Sequence, residues 1–348
     1  FHVLPDDPVD EVQREMIEHD LGQVPVVDGD GRFVGIVTRT DLIKLWALVP
    51  SESRTKEIHQ KLEDALPEPL MNLLLRVRDV ANDLDYSLYI VGGFVRDLLL
   101  GAPNLDLDLV VEGDAIRMAR NLARNIGGRV RSHSRFGTAK VIFEGKPPHG
   151  LPPSLDFVTA RTEFYERPTV LPQVERSSIK QDLYRRDFTI NTMAICLDRD
   201  RFGELLDYYG GERDLREGCI RVLHNLSFVE DPTRILRAVR FEQRLGFAIE
   251  PRTEELIDEA LELLDRVTGE RLRHELYQLL SEREPEHILE RLHRMGALVH
   301  VHASLRHSPD MRQLFVRLRE RFSKMRHSRQ TWPAGQPNGA FANGAGDG

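Results

Sequence analysis

The stretch YIVGGFVRDLLLGAPNLDLDLVVEG, Tyr89 to Gly113, decides how the chain is read. An apolar strand enters Gly92-Gly93, a short helix carries Arg96 and Asp97, and Asp106 and Asp108 stand two apart in a second apolar run. Side chains at i and i+2 of a strand share a face, so this run would present both carboxylates to one spot. Like charges that close repel unless a cation lies between them, and carboxylates with room for phosphate oxygens suit Mg2+. Amides bared at Gly92-Gly93, where strand gives way to helix, favour a phosphate group, and Arg96 one turn on offers it a charged donor. Together these parts read as a metal-assisted phosphoryl or nucleotidyl transfer centre.

Strands and helices alternate on both sides of this unit. SLYIVGG is a strand, GRVRSHSRFGTAKVIF is two strands joined at Phe136-Gly137, and SLDFVTAR is another. Between them DAIRMARNLARNIGG is a helix with Asp114 as N-cap and glycines at its end. Residues 86–200 are expected to form an α/β head. Residues 201–265 would be a helical neck carrying a nucleotide-recognition helix, 266–326 a helical body, and 327–348, rich in Gly, Ala, Asn and Pro, a disordered tail. Ahead of the head lies a polar linker and a helix leading in, 49–85, broken at Pro67 and Pro69.

The chain has 348 residues, 41% hydrophobic and 30% charged, which suits a globular protein of several domains. No apolar run reaches the roughly 18 residues of a membrane span. Cys196 and Cys219 lack metal-ligand spacing and fit a reducing, cytoplasmic setting. A net charge of −8 argues against nucleic acid, but arginines and lysines gather at 117–140, 176–186, 234–244 and 317–329. Those clusters are either basic binding faces or solvated helix faces. The chain opens on Phe1 in what reads as mid-domain, so a longer parent is expected.

Residues 1–48 resemble a CBS module, through VPVVD, the turn DGDG and GIVTRTDL. The resemblance implies that Gly35, Thr38 and Asp41 can hold an adenosine nucleotide; a structural or dimerising module without ligand is the other reading. GGFVRDLLLG followed by DLDLVVEGDA resembles the head motif of the class II tRNA nucleotidyltransferase and poly(A) polymerase family, within the polymerase β superfamily. LDFVTARTEFY (155–165), DLYRRDFTINTMA (182–194), DYYGGERDL (207–215) and EDPTRILRAVRF (230–241) follow in that family's order. The implied fold is α+β: a partial CBS module, a polymerase-β-like head, and an all-helical neck and body.

By motif, the resemblance implies Gly92, Gly93 and Arg96 at the triphosphate, and Asp106 and Asp108 as catalytic ligands of two Mg2+ ions. It puts Arg186 and Asp187 near ribose and phosphates, and Asp231, Arg234, Arg237 and Arg240 along a nucleotide-facing helix edge. Asp156 occupies a position where more distant relatives carry a third carboxylate, so it is either a metal ligand or an orienting group. The partners implied are the tRNA 3′ end and ATP, with CTP as a further substrate.

Glu230-Asp231-Pro232 has the marks of a helix start, which would set Asp231 and Arg234 three apart on one face. A carboxylate only accepts hydrogen bonds and a guanidinium only donates them. That pair matches the amino donor and ring-nitrogen acceptor of adenine and cytosine and leaves groups unpaired against uracil and guanine. Addition of A alone, of whole CCA, and poly(A) synthesis remain open at this point. The segment Glu166 to Leu183 stands where CC-adding members lack a flexible loop, and the CBS fusion resembles the longer A-adding proteins. The reading from another class is a catalytically dead adenylate sensor or RNA-binding protein.

Overall fold

The structure is a computed structural model that describes residues 2–19, 21–38, 52–143, 145, 150–164, 173–306 and 308–330. It divides into two compact units, Phe1–Asp231 with Phe247–Leu256, and Pro232–Gly246 with Ile257–Gly348.

In the first unit, helix α1 (Val9–Glu18) precedes an antiparallel hairpin of β1 (Gln23–Val27) and β2 (Phe33–Thr38). Val3, Val12, Met16 and Val24 form its core. The turn is closed by Asp28, whose Oδ1 accepts from the amides of Asp30 at 3.0 Å and Arg32 at 2.9 Å. The stretch expected as a polar linker instead contains helix α2 (Glu52–Ala65), because Ile58 and Leu62, one turn apart, are both buried. Pro67 then caps α3 (Glu68–Asp83), which buries Leu70, Leu73, Leu74 and Val77.

The head is a seven-stranded sheet. In chain order its strands are β3 (Ser87–Val91), β4 (Asp108–Glu112), β5 (Arg129–His133), β6 (Thr138–Ile142), β7 (Ser154–Thr159), then β10 (Met193–Cys196) and β11 (Leu205–Asp207). A separate hairpin, β8 (Arg161–Phe164) with β9 (Gln173–Arg176), lies between them in sequence. Spatial order is β11-β10-β3-β4-β7-β6-β5, and only β4 and β7 run parallel. The last strand comes from beyond residue 200, so the sheet draws on residues expected in a helical neck. Helix α4 (Gly93–Leu99) follows β3, and α5 (Ala115–Ile126) follows β4 with Asp114 accepting from the amides of Ile116 and Arg117, both at 3.0 Å. The segment expected as a loop, Glu166 to Leu183, is ordered over β9 and most of α6 (Ile179–Tyr184), where Ile179 and Leu183 supply buried anchors; residues 166–172 lie outside the described ones. Helices α7 (Gly211–Glu217) and α8 (Ser227–Glu230) complete the part that carries the site.

The second unit is helical: α9 (Thr233–Leu245), the end of α10 (Pro251–Ala260), α11 (Gly269–Leu280), α12 (Pro285–Arg294), α13 (Ala297–Val301) and α14 (Pro309–Gln330). Ile235, Leu236, Val239, Leu279, Ile288 and Leu292 are buried in it. Polar ties add register: Arg291 donates to Glu242 at 2.9 Å, and Arg319 pairs with the buried Glu286. Helix α14 continues through 327–330, the start of the expected tail; 331–348 lie outside the described residues.

Candidate active site

Strand β3 ends at Val91, Gly92 follows with a φ of 71° and ψ of −128° that suit glycine, and α4 begins at Gly93. The turn is pinned by the Gly92 amide donating to Met193 O at 3.2 Å. A side chain there would strain the backbone and push the end of Arg186 aside. A β-carbon on Gly92 would fall 2.8 Å from Nη1 of Arg186. That arginine is aimed by Asp182, fully buried, whose Oδ2 accepts from Arg186 Nη2 at 3.1 Å while Oδ1 accepts from Arg185 Nη2 at 2.8 Å. Burial pushes the Asp182 carboxyl up, but the two guanidiniums outweigh it and hold the group below the usual carboxylate range. Nε of Arg186 is buried and makes no hydrogen bond among the described residues, which leaves the guanidinium a donor for an anion.

Arg96 comes next to Gly93, its Nη2 3.6 Å from where a β-carbon there would stand, with its guanidinium turned to interior partners. It is 3% exposed, with Nε and Nη2 on Asp97 Oδ1 at 2.8 and 2.7 Å and Nη1 on Asn191 Oδ1 at 2.8 Å. The physical reason is burial: a guanidinium in the interior needs a carboxylate, and Asp97, itself buried, supplies it. Asn191 in turn donates to Asp187 Oδ1 at 3.0 Å, and Asp97 Oδ2 accepts from Asn104 Nδ2 at 2.8 Å. One chain of contacts therefore links Asp187 to the segment that carries Asp106.

Asp108 is the first residue of β4, and Asp106 lies just before the strand rather than in it. Both are exposed. Partial desolvation raises the Asp108 pKa, the Arg186 charge lowers it, and Asp106 and Asp156 raise it again; the net shift is upward. Carboxylates that repel in this way are a donor set for a hard cation, and Mg2+ characteristically takes one or two carboxylates and fills its shell with substrate phosphates. Asp156 is paired with Asp108 in register across the parallel strands, but its Oδ2 is bonded to Lys140 Nζ at 3.0 Å. Among the described residues no group of three or more Asp, Glu, His or Cys side chains closes on one point, so any cation here would have Asp106 and Asp108 alone as side-chain ligands and would take the rest of its shell from substrate or water.

The expected helix start at 230–232 is displaced. Asp231 is extended (φ −139°, ψ 94°), Pro232 caps, and α9 begins at Thr233. The cause is local: the residue before proline is sterically kept out of the α region. Asp231 thus precedes the helix that carries Arg234, and the two do not share one helical face as i and i+3. Within the second unit Arg234 is 4% exposed. Arg240 Nη1 donates to Gln278 at 3.4 Å, and burial together with Arg237 and Arg244 depresses its pKa against the pull of Glu275 and Glu282. Arg237 is half-buried on the same helix. Of the CBS residues, Gly35 and Thr38 lie on β2 opposite Val26 and Gln23, and Asp41 lies outside the described residues.

Three comparisons bear on this geometry. Residues 88–221 match the Poly A polymerase head domain, 1–47 the CBS domain, and 246–307 the family described as Probable RNA and SrmB-binding site of polymerase A. A solved tRNA-processing enzyme (apo form I) is 38% identical, with a TM-score of 0.65 over 77% of this chain and 68% of that one. The chain belongs to the tRNA nucleotidyltransferase and poly(A) polymerase family. Another member, the A-adding tRNA nucleotidyltransferase of Geobacter sulfurreducens, is 45% identical over 330 residues, 90% of this chain. The Thermotoga maritima CCA-adding enzyme, solved in complex with tRNA, is 41% identical with a TM-score of 0.64 over 79% of this chain and 62% of that one. The chain spans 37% of the length of the Geobacter protein.

Within this head, Asp182, Asn191 and Asn104 are residues that the motif reading did not single out. Asp182 had a signal, four residues ahead of Arg186 and so on the same helical side. Asn191 and Asn104 had only their near neighbours Asp187 and Asp106 to mark them, because the partners that tie them to the interior, Arg96 and Asp97, lie in another element.

Proposed function

We propose that the chain carries a template-independent RNA nucleotidyltransferase that adds AMP to the 3′ end of tRNA already ending in CC and releases pyrophosphate. The observation that supports this best is the placing of Arg186, which lies against Gly92 and electrostatically offsets the crowded Asp108 carboxylate. A guanidinium and a carboxylate pair close enough to act on one another suit a nucleoside triphosphate and its metal. In the reaction the 3′ oxygen of the RNA forms a bond to the α-phosphorus, and the bond from that phosphorus to the bridging oxygen of pyrophosphate breaks. No covalent enzyme intermediate is needed. Asp106 and Asp108 would hold Mg2+, two ions on this reading, which supplies charge neutralisation at the phosphate and lowers the pKa of the attacking hydroxyl. Arg186, fixed by Asp182, would orient the triphosphate, and Asp187, which accepts from Asn191, would accept from a ribose hydroxyl. On this reading Asp231 is the acceptor for the amino group that A and C share.

The A-adding reading is supported by the Geobacter relative: a match over 90% of this chain cannot leave out the whole CBS stretch. Addition of whole CCA is the second reading, favoured by the likeness to the Thermotoga CCA-adding enzyme. Transfer of label from α-labelled ATP to tRNA ending in CC tests the enzyme reading. A chain that binds ATP and tRNA yet transfers no label in the presence of Mg2+ is a dead sensor or RNA-binding protein instead.

A further inference from the structure

Asp106 is exposed and lies ahead of β4, and its main chain is tied down by a side chain: its amide donates to Asn104 Oδ1 at 2.8 Å. Asn104 uses its other end on the interior, Nδ2 donating to Asp97 Oδ2 at 2.8 Å. The orientation of the amide is forced, since a carboxylate can only accept and an N–H can only donate. Asp97 is anchored by the buried Arg96, and Arg96 by Asn191. We propose that Asn104 is a positioning residue that ties the Asp106 segment to this buried pair and so sets the Asp106 carboxylate for metal binding. Only an amide of this length satisfies both neighbours. A carboxylate in its place keeps the bond to the Asp106 amide but repels Asp97, and an apolar isostere loses both bonds and leaves Asp97 without its second partner.

The inference rests on the reading of Asp106 and Asp108 as the metal site, and its test separates the two. Binding of Mn2+ alone to the full chain is followed by electron paramagnetic resonance, with Asp108→Asn marking which bound Mn2+ belongs to this site, and melting curves are taken for each variant. Asn104→Leu and Asn104→Asp are expected to weaken that Mn2+ by about 10- to 100-fold, as loss of groups that orient metal ligands does, with melting close to the parent. Charge alone makes the opposite forecast for Asn104→Asp, because a further carboxylate near the site attracts a cation. Tighter Mn2+ binding by Asn104→Asp, or unchanged binding by both variants, overturns the positioning role while leaving the metal site in place. If Asn104→Leu melts well below the parent, the isosteric Asn104→Asp decides. Absence of any Mn2+ sensitive to Asp108→Asn in the parent overturns the metal reading and the inference with it.

Discussion

The guanidinium of Arg186 lies against the bare α-carbon of Gly92, close enough that a β-carbon there would sit 2.8 Å from Nη1. Gly92→Ala therefore meets both a backbone at φ 71° and ψ −128°, a strain on the order of 1–3 kcal/mol, and a displaced arginine. We expect ATP affinity to fall with only a modest drop in melting temperature. Unchanged ATP binding in Gly92→Ala would show that Arg186 is not part of the phosphate site.

Asp106→Ala and Asp108→Asn are expected to abolish transfer and leave the fold intact. The raised pKa of Asp108 means that its ionised form is disfavoured in the folded protein, so the metal-free variant melts at the same temperature as the parent or higher. The sign follows from linkage: the penalty is present at neutral pH and disappears as pH falls through the raised folded value. Melting curves without divalent cations, at neutral pH and below pH 4, check it. A variant that turned over within tenfold of the parent would remove these carboxylates from the chemistry.

Asp182→Asn should cost about 3 kcal/mol, since it leaves two guanidiniums beside a buried site without their counter-charge. Its carboxyl is depressed in the fold, so the stabilisation it gives is present above the unfolded value of about 4 and is lost as pH falls through the lower folded value. Urea titrations should show the parent losing that share of stability in acid while the variant does not. Equal acid sensitivity in both would place the ionisation elsewhere.

Asp231→Ala should weaken discrimination against UTP and GTP as well as slow transfer, by about 1–3 kcal/mol for one buried hydrogen bond left unmade. Competition between nucleotides measures it directly. A uniform loss across all four would assign Asp231 to shaping the Pro232 turn alone.

How far the site could be read from sequence depended on whether its signal was local. The turn at Gly92 was legible because a glycine after an apolar strand carries its geometry in neighbouring residues, whereas the shared strand face expected for Asp106 and Asp108 was not, since β4 begins only at Asp108. Arg96 was legible as a cation but not in its direction, because its partner Asn191 comes from a segment far along the chain. Helix α2 was hidden by a polar composition that leaves only Ile58 and Leu62 to mark its inner side. The start of α9 was misplaced by two residues through one steric effect, the restriction that Pro232 imposes on Asp231.

The most direct measurement offers each nucleotide singly to tRNA transcripts ending before the tail, after C and after CC. The account predicts one A added to the CC end from ATP and no addition from CTP to the transcript lacking its tail. Efficient addition of two C residues to that transcript would contradict it and move the protein to the CCA-adding class, and long runs of A on any RNA end would move it to poly(A) synthesis.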